Sequence, residues 1–181
     1  MIPLGYMAKR ISNERPDWLN APGVVAVYSV SDCVNDTLAL YVPDCPHNGY
    51  WMFDSPAAIV AAAKSNQIDI EGSKLFFYEA HELELDGDDR LPVVPDDSFD
   101  TQIVTPSTKH LMGFDIVTFI DGPNSHSPLS CNSVAAEIIT NEHCLFETLD
   151  EALAAVIGGK FDGSEPGPYR VYAVYSVAWP E

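Results

Sequence analysis

Cys131 is the residue of this chain best suited by type and position to covalent chemistry. It lies in Ser127-Pro-Leu-Ser-Cys-Asn132, directly before a run from Asn132 to Thr140 that predicts a helix. The positive end of a helix lowers the pKa of a thiol, and the free amides there can hold an oxyanion. Cys131 is therefore the candidate nucleophile.

A nucleophilic thiol needs a base, and His126 and His143 are the candidates. Distance along the sequence does not establish a pair of cysteine and histidine. With such a pair, the protein would be a small thiol-dependent hydrolase or transferase. In the alternative, which we favour, Ser130 or Asn132 caps the helix and Cys131 is a small buried residue.

Two short pairs of residues could together bind a metal ion. Cys45 and His47 form one pair, and His143 and Cys144 form the other, so a tetrahedral zinc site is conceivable. The spacing matches none of the usual zinc signatures, and Asp86-Gly-Asp-Asp89 lacks the ordered ligands of a calcium loop. The sequence also has no nucleotide-binding loop and no serine elbow. We therefore predict neither a metal nor another cofactor.

Much of the negative charge is concentrated in one acidic segment. From Glu79 to Asp100 there are nine acids and one base, so this segment holds a third of the 27 acids in the chain. Acids alternate there with Leu83 and Leu85, as expected for a strand with one acidic face. We predict a partner-binding surface that consists of Glu82, Glu84, Asp86, Asp88, Asp89, Asp96 and Asp97.

The net charge of -18 limits the partners of such a surface. Nucleic acids and anionic membranes carry the same sign of charge and would be repelled, whereas a basic protein would be attracted. The alternative is that the acidity only keeps the protein soluble. The sequence leaves the oligomeric state open.

The length and composition predict one globular domain, residues 1–181, with a substantial core. The longest apolar stretch, Ile59 to Ala63, is far shorter than the roughly 20 residues of a membrane span. The first residues also lack the pattern of a secretory signal. We therefore expect a cytoplasmic protein whose four cysteines are reduced.

One segment of the sequence has a counterpart further along the chain. Asn48-Gly-Tyr-Trp-Met-Phe-Asp-Ser55 aligns without a gap with Asn141-Glu-His-Cys-Leu-Phe-Glu-Thr148. Ser55 precedes a proline that suits the first helical turn, and Thr148 with Glu151 forms a capping box. These shared residues have structural roles. If either segment has a functional role, it is expected where the copies differ, at Tyr50, Trp51, His143 and Cys144.

The remaining elements follow from composition and periodicity. The predicted strands are Val24 to Val30, Lys74 to Ala80, Phe114 to Ile120 and Tyr169 to Val177. Helices are predicted from Val34 to Tyr41, from Asn132 to Thr140 and after each capping residue. The fold class is α+β or α/β, a mixed sheet covered by helices. Two pseudo-repeated strand-helix-strand modules, residues 24–84 and 112–178, are joined by an acidic linker, residues 85–108, that includes most of the acidic segment.

Several stretches of the chain resemble one family of proteins. They are Arg15-Pro-Asp-Trp-Leu19, Tyr28-Ser-Val-Ser-Asp-Cys33, His47 to Pro56 and Ser127 to Asn132. Together they look like uncharacterised bacterial proteins, some of which are similar to immunity proteins of toxin systems. The resemblance covers most of the chain and carries over no functional residue.

The acidic surface and the lack of a catalytic signature favour a non-enzymatic binding protein. We predict an immunity-type protein that masks a basic toxin or effector, because complementary charge speeds association and selects the partner. A structural or regulatory subunit is a third possibility that the sequence does not separate from this one.

Overall fold

The structure is a computed structural model that describes residues 1–11, 19, 21–31, 36–37, 47–119, 125–131 and 134–180. The strands are β1 (Ile2–Arg10), β2 (Asp36–Thr37), β3 (Lys74–Ala80), β4 (Leu83–Asp86), β5 (Asp89–Pro92), β6 (His110–Phe119), β7 (Ser125–His126) and β8 (Arg170–Val177). The helices are α1 (Pro56–Ser65), α2 (Pro128–Cys131) and α3 (Leu149–Ile157), and a 3-10 turn covers Val134–Ala136.

The main element is a six-stranded sheet with the order β2-β1-β3-β8-β6-β7, and β4 and β5 form a separate hairpin. The pairings between these strands are antiparallel. Helices packed on an antiparallel sheet make the fold α+β, with more sheet than helix. The sequence analysis predicted a mixed sheet, with α/β as the alternative class. Both predictions are wrong, because the strands in the described part of the chain pair antiparallel.

Strands β3 and β8 form the centre of the sheet and are buried on both faces. Leu75 and Phe77 pack on one face with Ile59 of α1, whereas Phe76 and Tyr78 lie in the core of the opposite face. Helix α3 packs on the same face as α1, through Ala152 and its neighbours. Runs of β-branched and aromatic residues suit strands buried on both sides, which is why the sequence predicted both strands correctly.

Helices α1 and α3 begin where the sequence predicts. The Ala58 N–H donates to the Ser55 hydroxyl at 3.2 Å. At α3 the capping box is complete, since the Thr148 N–H donates to Glu151 and the Glu151 N–H donates to the Thr148 hydroxyl. Each cap satisfies amides that the helix itself leaves without partners.

The two sides of the sheet have the same chain order: an outer strand, a corner, a helix and an inner strand. On one side these are β1, residues 48–54, α1 and β3, and on the other they are β6, residues 141–147, α3 and β8. The inner strands pair with each other, with Tyr78 opposite Val174. Tyr78 also pairs with Gly5 of β1, and Val174 pairs with Gly113 of β6.

Three predicted elements differ from the structure. Residues 24–30 form no strand; their backbone instead donates to the carbonyls of Glu142 and His143. The predicted helix after Cys131 is reduced, among the described residues, to the 3-10 turn. Of the predicted helix from Val34 to Tyr41, residues 36–37 belong to β2, and the other residues lie outside the described ranges.

The outer strand of the first side is β1, which the sequence analysis did not predict. Among the helices in the described ranges, none combines the length and the apolar character that crossing a bilayer requires.

Candidate binding surface

The first corner is organised by the side chain of Asn48. Its amide donates to the Leu4 carbonyl of β1 at 2.9 Å, and its oxygen accepts the N–H of Tyr50 at 2.9 Å. The Phe53 backbone then forms a two-way bridge with Tyr6. These bonds bind the corner to the outer strand.

The second corner is built in the same way around Asn141. Its amide donates to the Met112 carbonyl of β6 at 2.8 Å, and its oxygen accepts the N–H of His143 at 2.9 Å. Phe146 bridges Phe114 as Phe53 bridges Tyr6. The residues that the two corners share in sequence therefore join each corner to its outer strand.

The four residues at which the corners differ have different environments. Tyr50 and Cys144 are buried, and burial raises the pKa of the Cys144 thiol to about 12. His143 stacks on Tyr28 with ring centroids 4.1 Å apart, and burial lowers its pKa. Trp51 and His143 are both partly exposed, but the His143 ring is covered on one side by Tyr28. Trp51 instead packs against Phe99 of the acidic segment, so of the four it is the one placed to meet a partner.

The acidic segment is attached to the first corner at Gly49. The Asp96 N–H donates to the Gly49 carbonyl, and the Gly49 N–H donates to the Thr101 hydroxyl, both at 2.9 Å. A Cβ at position 49 would lie 2.6 Å from the Asp96 carbonyl oxygen, which only glycine avoids. The acids between these anchors therefore sit beside the corner.

Hydrogen bonds favour the ionised form of Asp96. The Ser98 hydroxyl and backbone N–H both donate to its Oδ1, the latter at 2.9 Å. These bonds lower the pKa of the exposed Asp96 carboxyl, and the nearby His47 acts in the same direction.

Most of the predicted binding acids lie on the surface. Leu85 of the hairpin points into the core, whereas the alternating acids lie towards solvent. Six of the seven candidates are exposed: Glu82, Asp86, Asp88, Asp89, Asp96 and Asp97. Within the described ranges, the recorded salt bridges involve none of these six. Their charge is available to a partner.

Glu84 is the exception among the seven. The Arg170 guanidinium donates from Nε to Glu84 Oε2 at 2.7 Å, and the Glu84 side chain is 13% exposed. Glu79, which begins the segment, is likewise held by Lys109 and by the Tyr175 hydroxyl. Both carboxylates join the acidic segment to the sheet and are not placed for partner contact.

The acidic segment also exposes apolar side chains, one on β5 and one just after it. Leu91 is 51% exposed and Val94 is 65% exposed. On β5, Pro92 has no N–H to donate. Proline and charged residues on an edge strand disfavour its pairing with a strand of another chain. This surface therefore presents side chains for recognition and is poorly suited to strand addition.

A buried polar network, which the sequence analysis missed, lies away from the acidic segment. Asp115 is fully buried and accepts the Val30 N–H at 2.7 Å, the Ser127 hydroxyl at 2.6 Å and the Ile116 N–H at 2.9 Å. Lys9 is also fully buried and donates to the Val30 carbonyl at 2.5 Å. The network joins residues 29–31 to both outer strands.

Cys131 lies at the edge of this network. Its Sγ is 2.8 Å from the Ser31 hydroxyl, and the side chain is partly exposed. It ends the four-residue helix α2, so it does not have the amino-terminal position on which the catalytic prediction relied. His126, the nearer candidate base in sequence, belongs to β7.

The alternative metal ligands fall in separate surroundings. Cys45 lies outside the described residues, and His47 packs against Trp51 with ring centroids 4.5 Å apart. Cys144 is buried in the hydrophobic cluster that also contains Ala152 of α3. The ranges that the structure describes hold no group of three or more side chains arranged for a metal ion.

Comparison of the chain with protein-family models, with curated proteins and with solved structures finds no match.

Proposed function

We propose that this protein is a cytoplasmic module that binds a basic protein, in the manner of an immunity protein that neutralises a basic toxin or effector. The observation that carries the proposal is the placement of six acids, Glu82, Asp86, Asp88, Asp89, Asp96 and Asp97, on exposed positions of two attached segments. Complementary charge at such a surface accelerates encounter and excludes wrong partners.

The scaffold supports this proposal because it holds both acidic segments in place. The hairpin is joined to the sheet by the ion pair of Glu84 with Arg170 and by the bridge of Leu85 with Tyr169. The following acids are joined to the first corner at Gly49. Charges on a preorganised surface lose less entropy on binding than charges on a free chain.

The test is association with purified toxin domains of net positive charge. In one variant the six acids are changed to Gln or Asn. In the control variant six other exposed acids, Glu71, Glu137, Glu142, Glu147, Asp150 and Asp162, are changed in the same way. We expect the first variant to associate about tenfold more slowly or worse at low salt, and the control to change much less. Equal slowing in both would remove this surface from the proposal.

We also infer that the scaffold consists of two related units, Ile2 to Ala80 and His110 to Val177. The matching asparagine bonds, the matching bridges and the common order of elements support this inference. In this view the corners are a shared frame, and of the two corners the first alone carries a partly exposed tryptophan and the adjoining acidic segment. Trp51→Cys, which places at position 51 the residue found at the matching position 144, should preserve folding, as measured by circular dichroism, and weaken partner binding.

The alternative remains a thiol-dependent hydrolase or transferase centred on Cys131. The contact of its Sγ with Ser31 is the observation in its favour. Dependence of iodoacetamide labelling on pH separates the alternatives, because a catalytic thiolate reacts well below the free cysteine value of about 8.5.

A further inference from the structure

A cluster of three rings borders the acidic surface at the first corner. The centroid of the His47 ring lies 4.5 Å from that of Trp51 and 4.8 Å from that of Phe99, and the Trp51 and Phe99 centroids are 5.4 Å apart. All three side chains are partly exposed. Phe99 lies within Asp96-Asp-Ser-Phe-Asp100, so the rings and the carboxylates belong to one patch.

Trp51 has a backbone conformation that is unfavourable for tryptophan. Trp51 has φ of 63°, and Cys144 at the matching position has φ of 61°, so the corner itself requires the left-handed conformation. Glycine or asparagine adopts it at lower cost than tryptophan, whose Cβ and bulky side chain disfavour it. The corner does not need a tryptophan, because the second corner is formed with a cysteine.

We propose that Trp51 and Phe99, with Asp96 and Asp97 beside them, form the anchor for an arginine side chain of the basic partner. This inference rests on the proposed function and names the chemistry of its central contact.

The chemistry of the patch selects the occupant. A guanidinium can stack on an aromatic face while it donates to a nearby carboxylate, which an ammonium does less well because it is compact and strongly hydrated. A nucleobase would also stack, but its phosphates would meet Asp96, Asp97 and Asp100. Tryptophan and arginine are the residues most enriched among binding hot spots, which fits a central contact of this kind.

The acidic surface and the aromatic anchor make separable contributions. Charge attraction at an exposed surface weakens as salt screens it, whereas stacking on Trp51 loses little. Asp88 and Asp89 supply charge on the β4–β5 hairpin, whereas Asp96 and Asp97 supply charge in the segment that carries Phe99. The variants D88N/D89N and D96N/D97N change the net charge by the same amount.

The probe is an acetylated octapeptide amide of alternating glycine and arginine, compared by calorimetry with its lysine and citrulline counterparts. We expect the wild type to prefer arginine over lysine and to bind citrulline least. Trp51→Gly should weaken arginine-peptide binding about 2- to 30-fold and reduce the preference over lysine. Because glycine suits φ of 63°, this variant should keep its melting temperature near that of the wild type.

Trp179→Phe is the matched control, since Trp179 is also partly exposed but its indole donates to the Ser73 carbonyl at 2.8 Å. The ratio of the affinities of the wild type and Trp51→Gly for the arginine peptide should persist at 0.5 M salt. The effects of D88N/D89N and D96N/D97N on that affinity should shrink there. If both acid variants weaken binding and Trp51→Gly does not, the anchor is refuted and the proposed function stands. If the wild type binds the arginine and citrulline peptides equally, both are refuted.

Discussion

Asn48 and Asn141 make the same hydrogen bond to their outer strands, at 2.9 Å to the Leu4 carbonyl and at 2.8 Å to the Met112 carbonyl. In each case the acceptor immediately precedes a glycine, Gly5 or Gly113, at an irregularity in the strand pairing. The corner backbone passes directly over that glycine. The asparagine and the glycine therefore work as a pair that joins the corner to the sheet.

The close approach predicts that neither glycine tolerates a side chain. A Cβ at Gly5 would lie 2.6 Å from the Phe53 carbonyl oxygen, and φ there is 130°; a Cβ at Gly113 would lie 2.7 Å from that of Phe146. Gly5→Ala and Gly113→Ala should each lower the free energy of unfolding by more than about 2 kcal/mol in urea denaturation. Gly72→Ala is the control, because Gly72 has φ of 75° but no neighbour within 4 Å, so about 1 kcal/mol is expected. Equal losses at all three positions would contradict the role of the contact.

Burial of Asp115 predicts a specific pH dependence of stability. Burial raises the pKa of Asp115 to about 6 from an ordinary value of 3.8, although Ser127, Val30 and Lys9 partly oppose the shift. Between these values the unfolded chain has lost the proton that the folded chain keeps. Its contribution to the free energy of unfolding therefore falls as pH rises through this window, by up to about 3 kcal/mol, and is constant above it.

Asp115→Asn isolates that contribution. The variant should lose this part of the pH slope, and it should be less stable at pH 7 by about 1–3 kcal/mol because an amide cannot accept all three donors of the network. Urea denaturation at several values from pH 4 to pH 7 measures both effects. Parallel profiles for wild type and variant would show that Asp115 is not the titrating group.

The caps of the two helices predict moderate losses. Thr148→Ala removes the hydroxyl that accepts the Glu151 N–H, and Ser55→Ala removes the one that accepts the Ala58 N–H. Each should cost about 1 kcal/mol in thermal or urea unfolding. Glu151→Gln keeps the capping box and removes only a charge near the helix end, so it should cost less than about 0.5 kcal/mol. A larger loss from this control would mean that charge, and not the hydrogen bonds, dominates.

The described cysteines should differ in reactivity. Cys144 is fully buried, and burial raises its pKa to about 12, so almost no thiolate exists at pH 8. Cys131 is partly exposed. Iodoacetamide labelling followed by peptide mass spectrometry should modify Cys131 in the native protein and Cys144 only in urea. Native labelling of Cys144 at the rate seen in urea would contradict its placement in the core.

The parts of the fold that could be predicted depend on local chemistry. The strands at Lys74 and Arg170 are continuous apolar runs, and the caps at Ser55 and Thr148 need only neighbours within one turn. The strand β1 was missed because Pro3 and Gly5 interrupt its pattern, and Gly5 is explained only by a contact with the distant corner.

Residues 24–30 show the opposite case, since their composition is typical of a strand. Their amides instead find the carbonyls of Glu142 and His143, more than a hundred residues away. Tertiary contacts can override β propensity in this way, because the propensity mostly reflects the packing of a half-buried surface.

The candidate surface was also predictable only where it depends on local sequence pattern. Exposure of the hairpin acids follows from alternation with Leu85, but the capture of Glu84 by Arg170 joins residues far apart in sequence. The proximity of Trp51 to Phe99 likewise depends on how the acidic segment crosses the corner at Gly49. Lys9 and Asp115 could not be recognised as buried partners, because single charged residues in a strand usually face solvent.

The central pairing of β3 with β8, from Leu75 with Val177 to Ala80 with Tyr172, makes each side of the sheet depend on the other. A backbone cut between Pro106 and Lys109 would expose the edge of β3 in one fragment and the edge of β8 in the other, each with an uncovered apolar strip beside it. Such fragments should recombine with each other, or pair with themselves, because an edge of this kind attracts another strand. The pairing of β3 with β8 is therefore the interface through which two separately produced fragments should reconstitute the protein.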